Sequence, residues 1–326
     1  DYVYNVTDAK NSYLSFIGFG IENSAYVVLF DKVKDGFDLF ESRGSELCYD
    51  SYMVDEAYRV FSSVNCEECT DIWFSKNLFG CSNCFGCVNL RKKNYHIFNK
   101  PISKEAYTAF MNEFRSGSFE KYRDMQRKAQ DLWMKAPNRF TLAINVSNST
   151  GEHIEHTKNV HEGYDIHDGE NLKYSQLLSN ATDSYDHTRI GNPSSLVYES
   201  VVVGLEAERV RFSAFCFSGV NDVEYSIYCP GSTHIFGCVG LKKKQYCIFN
   251  RQYSKGDYEV LRKKIIEHMN AMPYTDTQGR VYKYGDFFPG EFSPFGVNES
   301  LLQDFFPLTK EQGEAKGYAW REPDVK

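Results

Sequence analysis

Short apolar segments recur along most of this chain. Each begins with an aromatic residue, alternates for a few positions and stops at Gly, Asn, Asp or Ser. In the first half they begin at Tyr13, Tyr26, Phe37, Tyr49, Tyr58, Phe74 and Phe85, and in the second at Tyr164, Tyr174, Tyr185, Tyr198, Phe212, Tyr225 and Phe236. Segments such as Tyr198–Gly204 and Phe212–Ser218 combine β-branched or aromatic residues with a closing turn former, which reads as strand. Successive starts lie 9 to 16 residues apart, so two or three strands would complete one coil of a solenoid, with like residues stacked in interior ladders. The expectation is a mainly β chain with α segments: an internally duplicated parallel β-helix (β-solenoid) of two lobes, each followed by capping helices. Two antiparallel β sandwiches or barrels are the alternative, because evenly spaced short strands also fit those. The aromatic residues that open the strands are read as core.

The duplication rests on direct identity. Phe85–Asn99 recurs without a gap as Phe236–Asn250, and the match continues through Ser103, Lys104 and Tyr107 to Ser254, Lys255 and Tyr258; 14 of these 23 positions are identical. Helices follow in both halves. Ser103 is a candidate N-cap for a run carrying Tyr107, Phe110, Met111 and Phe114 at helical spacing, and a second helix covers about 119–135 before Pro137. Ser254 and Asp257 open a helix reaching about Met272. The expected division is a first lobe with a helical hairpin at 1–136, a second lobe with its capping helix at 137–272, and a wrapping tail at 273–326. In the tail, Val281–Tyr284 reads as one more strand and Thr309–Gln312 as a capping-box helix start.

Composition narrows the function classes. Hydrophobic residues make up 42% of the 326, with 25 Phe and 23 Tyr, so the core is built from rings more than from aliphatic runs. No stretch approaches the roughly 18 apolar residues of a membrane span. Net charge is −7, which opposes wholesale attraction to nucleic acid and leaves local basic patches open. The ten cysteines are clustered in a chain large enough to fold without a disulfide framework, so a reducing, cytoplasmic setting is expected. The start at Asp1 rather than Met reads as a trimmed or processed chain.

Several blocks are distinctive: Phe85–Lys93, its repeat ending Lys244-Gln245-Tyr246-Cys247-Ile248-Phe249-Asn250, Glu267–Pro273, and Gly317-Tyr318-Ala319-Trp320. Through them the chain resembles uncharacterised zinc-ribbon-containing repeat proteins of uncultivated, reduced-genome bacteria. The resemblance covers essentially the whole chain. It implies a central domain flanked by four-cysteine zinc ribbons in the full-length protein, and it implies no particular chemistry.

Three candidate sites follow from residue spacing. Cys66, Cys69, Cys81 and Cys84 have the spacing of a four-cysteine zinc site, and zinc is the cofactor they would hold. At the fixed 151-residue offset, however, the second copy carries Phe217, Val220, Ser232 and Ile235, which favours cysteine as a small packed hydrophobe. His167 and His187, 20 residues apart, would stack and bind a metal beside a carboxylate if one coil had that length; a solvent-facing polar ladder is the competing reading. Arg91, Lys92 and Lys93 match Lys242, Lys243 and Lys244, each triplet followed by Tyr95 or Tyr246. They could contact a phosphate backbone, or form a charged edge that blocks strand-to-strand aggregation. No nucleophile elbow, phosphate loop or dinucleotide fingerprint is present. The sequence therefore leans away from an enzyme, towards a binding or scaffold protein presenting an extended surface to a protein or polymer. A polysaccharide-directed β-helix enzyme or lectin-like binder, and nucleic-acid binding, remain as alternatives.

Overall fold

The computed structural model describes residues 2–300 and 302–322. The chain divides into two compact units, Asp1–Asn138 and Arg139–Lys326. The first contains a 13-stranded sheet running from Val3–Lys10 to Lys100–Pro101, and the second a nine-stranded sheet from Ala143–Ile144 to Arg251–Gln252. Pairing is parallel within both sheets up to the last strand, which alone turns back antiparallel. That pairing removes the antiparallel sandwich alternative. No helix is long and apolar enough to cross a membrane.

The parallel register advances by one 12-residue rung at a time: Val27 pairs with Leu39, Leu39 with Ser51, and Ile154 with Ile166. Within a rung every third residue is buried. Val27, Phe30, Val33 and Gly36 face inward, and the same four columns continue through Leu39, Ser42, Ser45 and Cys48. The residue before each inward one has positive φ, as at Tyr26 (59°), Leu29 (57°), Lys32 (54°) and Asp35 (51°). Each three-residue step is thus an extended pair and a left-handed bend, and the bend turns the next side chain inward. Bulky residues pay for this conformation at roughly 1–2 kcal/mol each, whereas Asn and Asp tolerate it. Asn65, Asn77 and Asn89 occupy such bends one rung apart, and their side-chain amides bond in sequence at 3.1 and 3.0 Å. Asn159, Asn171 and Asp183 do the same in the second unit, at 3.1 and 2.8 Å.

Four inward side chains per rung enclose little space, so the interior is lined by Ser, Cys, Val, Ala, Ile and Leu. Its serines are hydrogen-bonded in a ladder. Ser51, Ser63 and Ser75 each accept the backbone N–H of the residue one rung on, at 3.2, 3.0 and 3.0 Å, and donate to the carbonyl two residues back. Ser200, Ser213 and Ser226 repeat the ladder at 3.2, 3.1 and 3.1 Å. Both ladders end alike. Asn99 N–H donates to Cys87 Sγ and Asn250 N–H to Cys238 Sγ, and each Asn amide then bonds both backbone groups of a residue in the previous rung, Val88 or Val239. The Asn at this position therefore caps the backbone, as expected from its place at a strand end.

The strand-opening aromatics depart from expectation. All fourteen occupy outward positions. Tyr13, Tyr26, Phe37, Tyr49, Tyr58, Tyr164, Tyr174 and Tyr185 are exposed. Phe74, Phe85, Phe212 and Phe236 are buried, because helices or the C-terminal segment cover the later rungs. In the first unit α1 (Lys104–Arg115) and α2 (Phe119–Lys135) pack Tyr107, Met111, Phe114 and Tyr122 onto Phe74 and Phe85. In the second, α3 (Lys255–Ala271) packs Tyr258, Leu261 and Ile265 onto Phe236 and Ile248. Ser103 and Ser254 are the N-caps, accepting from Ala106 and Asp257 N–H. Leu90 and Leu241 lie half-buried against the rung interior. The C-terminal segment holds a short hairpin of Tyr274–Thr275 and Val281–Tyr282 and a capping-box helix at Lys310–Ala315.

Candidate binding site

The structure places the three sequence-derived candidates in three different surroundings. Cys66, Cys69, Cys81 and Cys84 are fully buried, with free thiols, and all face the rung interior. Cys69 and Cys81 share one column, while Cys66 and Cys84 stand in two others. Each of these thiols, and that of Cys87, donates to the carbonyl two residues back, and contact between neighbouring thiols raises the pKa of Cys69 and Cys84 and lowers that of Cys81. The fixed offset also misaligned one of them. Rungs pair 12 residues apart over most of the second unit, but Ser194, Ala207 and Val220 pair 13 apart. The extra residue sits at double left-handed bends, Leu205–Glu206 and Ser218–Gly219. The inward counterpart of Cys66 is consequently Cys216, not Phe217.

His167 and His187 are not brought together, because a rung holds 12 residues rather than 20. His167 pairs with Ser179 in register and lies 3.4 Å from Glu155 and 3.5 Å from Asp165. His187 is an inward residue, its Nε2 3.0 Å from Val203 O, and burial takes its pKa down to about 4. Arg91, Lys92, Lys93, Lys242, Lys243 and Lys244 are exposed. Lys93 and Lys244 continue inward columns below Cys81 and Ser232, where the interior opens to water. Tyr95 and Tyr246 direct ring contacts at Tyr107 and Tyr258 of the following helices, 5.8 Å away in both units.

Comparing the two copies in the corrected register exposes a different site. In the first unit Phe61 stacks on Trp73 at 4.2 Å, Trp73 meets Phe114, and Met111 is buried beneath them. The equivalent second-unit residues are Arg211 for Phe61, Glu224 for Trp73 and Arg262 for Met111. Glu224 is 1% exposed. Its carboxylate accepts from Arg211 at 2.9 Å, from Arg262 at 2.6 and 2.9 Å, and from Tyr284 Oη at 2.6 Å. The hydrogen bond to Glu224 raises the Arg262 pKa further, and burial raises that of Tyr284. These donors satisfy the buried carboxylate, as burial of such a group requires.

Beside this network stands a second substitution. Arg59 pairs with Asp71 at 2.8 Å in the first unit, and Arg209 with Asp222 at 2.8 Å in the second. One rung on from Asp71 is Asn83, but one rung on from Asp222 is His234, whose Nδ1 lies 3.2 Å from Asp222 Oδ2. The His234 ring stacks on Tyr246 at 5.0 Å with a 4° interplanar angle. Arg211, Asp222, Glu224, His234, Tyr258, Glu259 and Arg262 together line a pocket of about 210 Å³. It offers carboxylate acceptors, guanidinium donors and an imidazole oriented by a carboxylate. The sequence did carry a signal for it: three aromatic or thioether positions of one copy become charged in the other.

Further along α3 lies a larger cavity of about 740 Å³, whose walls include Tyr225, Phe236, Val239, Ile265, Met269 and Phe288. Segment 284–286 borders it: Tyr225 Oη accepts from Gly285 N–H and donates to Asp286 O. No family model matches this chain, and no curated protein matches it. Among solved structures it is similar to a crystal structure described as an acetyltransferase from Desulfovibrio desulfuricans G20, at 14% identity and a TM-score of 0.16. That match covers 83% of this chain, which spans 61% of the other chain's length, and a likeness of this degree carries no argument.

Proposed function

We propose that this chain is a twice-built β-solenoid, a parallel β-helix in each unit, and that it works as a binding protein. The rungs are the rigid support, and the polar pocket on the last rungs of the second unit takes the ligand. The observation that carries this reading is the replacement of Phe61, Trp73, Asn83 and Met111 by Arg211, Glu224, His234 and Arg262 at equivalent positions of two otherwise matching copies. Charged groups placed against a helix cost desolvation, so their presence in one copy alone favours a ligand over packing. A pure scaffold would have no use for the asymmetry.

The ligand class follows from the lining. Donors and acceptors are balanced and an aromatic face borders them, which suits a neutral polyhydroxylated ligand such as one sugar unit of a polysaccharide. A polyanion would meet Asp222, Glu224 and Glu259 and be repelled. Saturation-transfer NMR against a panel of neutral mono- and oligosaccharides tests this. The expected result is a Kd of about 1 mM, near −4 kcal/mol, lost in His234→Asn and kept in Asn83→Ala. Absence of transfer from every sugar, or transfer unchanged in His234→Asn, would overturn the reading. The nucleic-acid alternative predicts salt-sensitive column retention that falls when Lys92, Lys93, Lys243 and Lys244 are neutralised.

A further inference from the structure

The apolar cavity is best understood through its counterpart in the first unit. There, Phe74 and Phe114 are covered by α2: the Tyr122 ring lies 4.8 Å from Phe74 and 6.4 Å from Phe114, and Met125 packs beside it. The equivalent residues, Tyr225 and Ile265, are walls of the second-unit cavity. No helix follows α3 as α2 follows α1. Pro273 stands 151 residues after Tyr122, and the chain crosses there as a hairpin and extended segment. The same apolar surface is therefore filled by the chain in one copy and left as an open cavity in the other.

We infer that this cavity binds a long-chain amphipathic monoanion, an acyl chain ending in a carboxylate. Its volume of about 740 Å³ lies within the roughly 300–1,000 Å³ typical of small-molecule sites. Its walls are aliphatic and aromatic, and its charges are confined to Lys264, Lys283, His268 and Asp286. The Asp286 carboxylate accepts the Lys283 backbone N–H at 2.7 Å. Among the described residues, neither lysine ammonium is paired with a carboxylate. One acidic head group would meet two uncommitted cations while its chain lies against the apolar walls. Segment 284–286 borders the cavity and is fixed there by its two hydrogen bonds to Tyr225. This cavity shares no lining residue with the polar pocket, although Tyr284 beside it bonds Glu224, and each site has its own ligand and its own test.

The delipidated 326-residue chain titrated with palmitate, followed by calorimetry and native mass spectrometry, tests the assignment. One palmitate per chain with a micromolar Kd is expected. Val239→Trp, which adds bulk at one wall of the cavity, should weaken binding at least tenfold while far-UV circular dichroism and Tm are retained. Should that variant misfold, the double variant Lys264→Glu/Lys283→Glu serves instead: it should weaken palmitate about tenfold and leave hexadecanol unchanged. Failure of palmitate to bind, or binding indifferent to the charge reversal, overturns the proposal. So does a synthetic peptide of residues 119–135 binding where palmitate does not, because the cavity would then be a helix-docking groove.

Discussion

At the residue scale the interior serine is the most informative position. Ser63 Oγ accepts the Ser75 N–H, whose outward neighbours cannot reach it. Ser63→Ala should leave that amide buried and unpaired, at a cost of about 1–3 kcal/mol, whereas Ser63→Cys should cost less, since Cys87 Sγ already accepts Asn99 N–H. Urea denaturation of the two variants checks the order, and equal losses would contradict the ladder. His187 makes a pH prediction. Burial lowers its folded pKa from 6.5 to about 4, so the unfolded chain binds more protons between those values. Its contribution is intact above pH 6.5, falls as the pH drops, and is fully lost below about 4. Between pH 7 and pH 5 the loss should reach about 2 kcal/mol. The effect should vanish in His187→Gln measured over the same range. His153, also lowered by burial, adds in the same direction.

At the scale of elements, the two helical endings show what was legible. Ser103, Ser254 and the spacing of Tyr107, Met111 and Phe114 marked the helices well, because capping and amphipathic spacing are local. The rungs were harder. Their inward residues recur every third position, a period that matches neither the alternation of a flat strand nor the 3.6 of a helix. The aromatic residues, which were visible, lie one or two positions away from the inward ones and so mark the rung without belonging to its core. The single extra residues at Leu205–Glu206 and Ser218–Gly219 shift the copies against each other, which hid Cys216 as the partner of Cys66 and Arg211 as the partner of Phe61. The element-scale prediction concerns Glu224. Glu224→Gln should destabilise the second unit by about 1–3 kcal/mol, since the half-buried Arg211 and Arg262 would lose their anion. Adding Arg211→Phe and Arg262→Met to Glu224→Trp, the first-unit set, should recover most of that loss in thermal denaturation. Recovery absent from the triple variant would mean the two copies do not share one packing plan.

At the scale of the whole chain, the duplication was readable because Phe85–Asn99 and Phe236–Asn250 specify the same rung, ladder end and helix start twice. What identity could not convey is that the copies diverge where they are otherwise most alike, beside α1 and α3. The three-residue step described above has one further consequence. In each rung, four inward positions hold the structure and four bends constrain it lightly, leaving the rest of the surface almost free of structural duty. Selection can rewrite that surface without disturbing the backbone, so mutational tolerance along the chain should oscillate with a period of three. A comprehensive substitution library scored for abundance would reveal the oscillation, strongest through 24–99 and 154–187, with its phase slipping by one residue at each extra bend in the second unit. Such a chain separates the instructions for folding from the instructions for recognition, and gives folding one letter in every three of the same text.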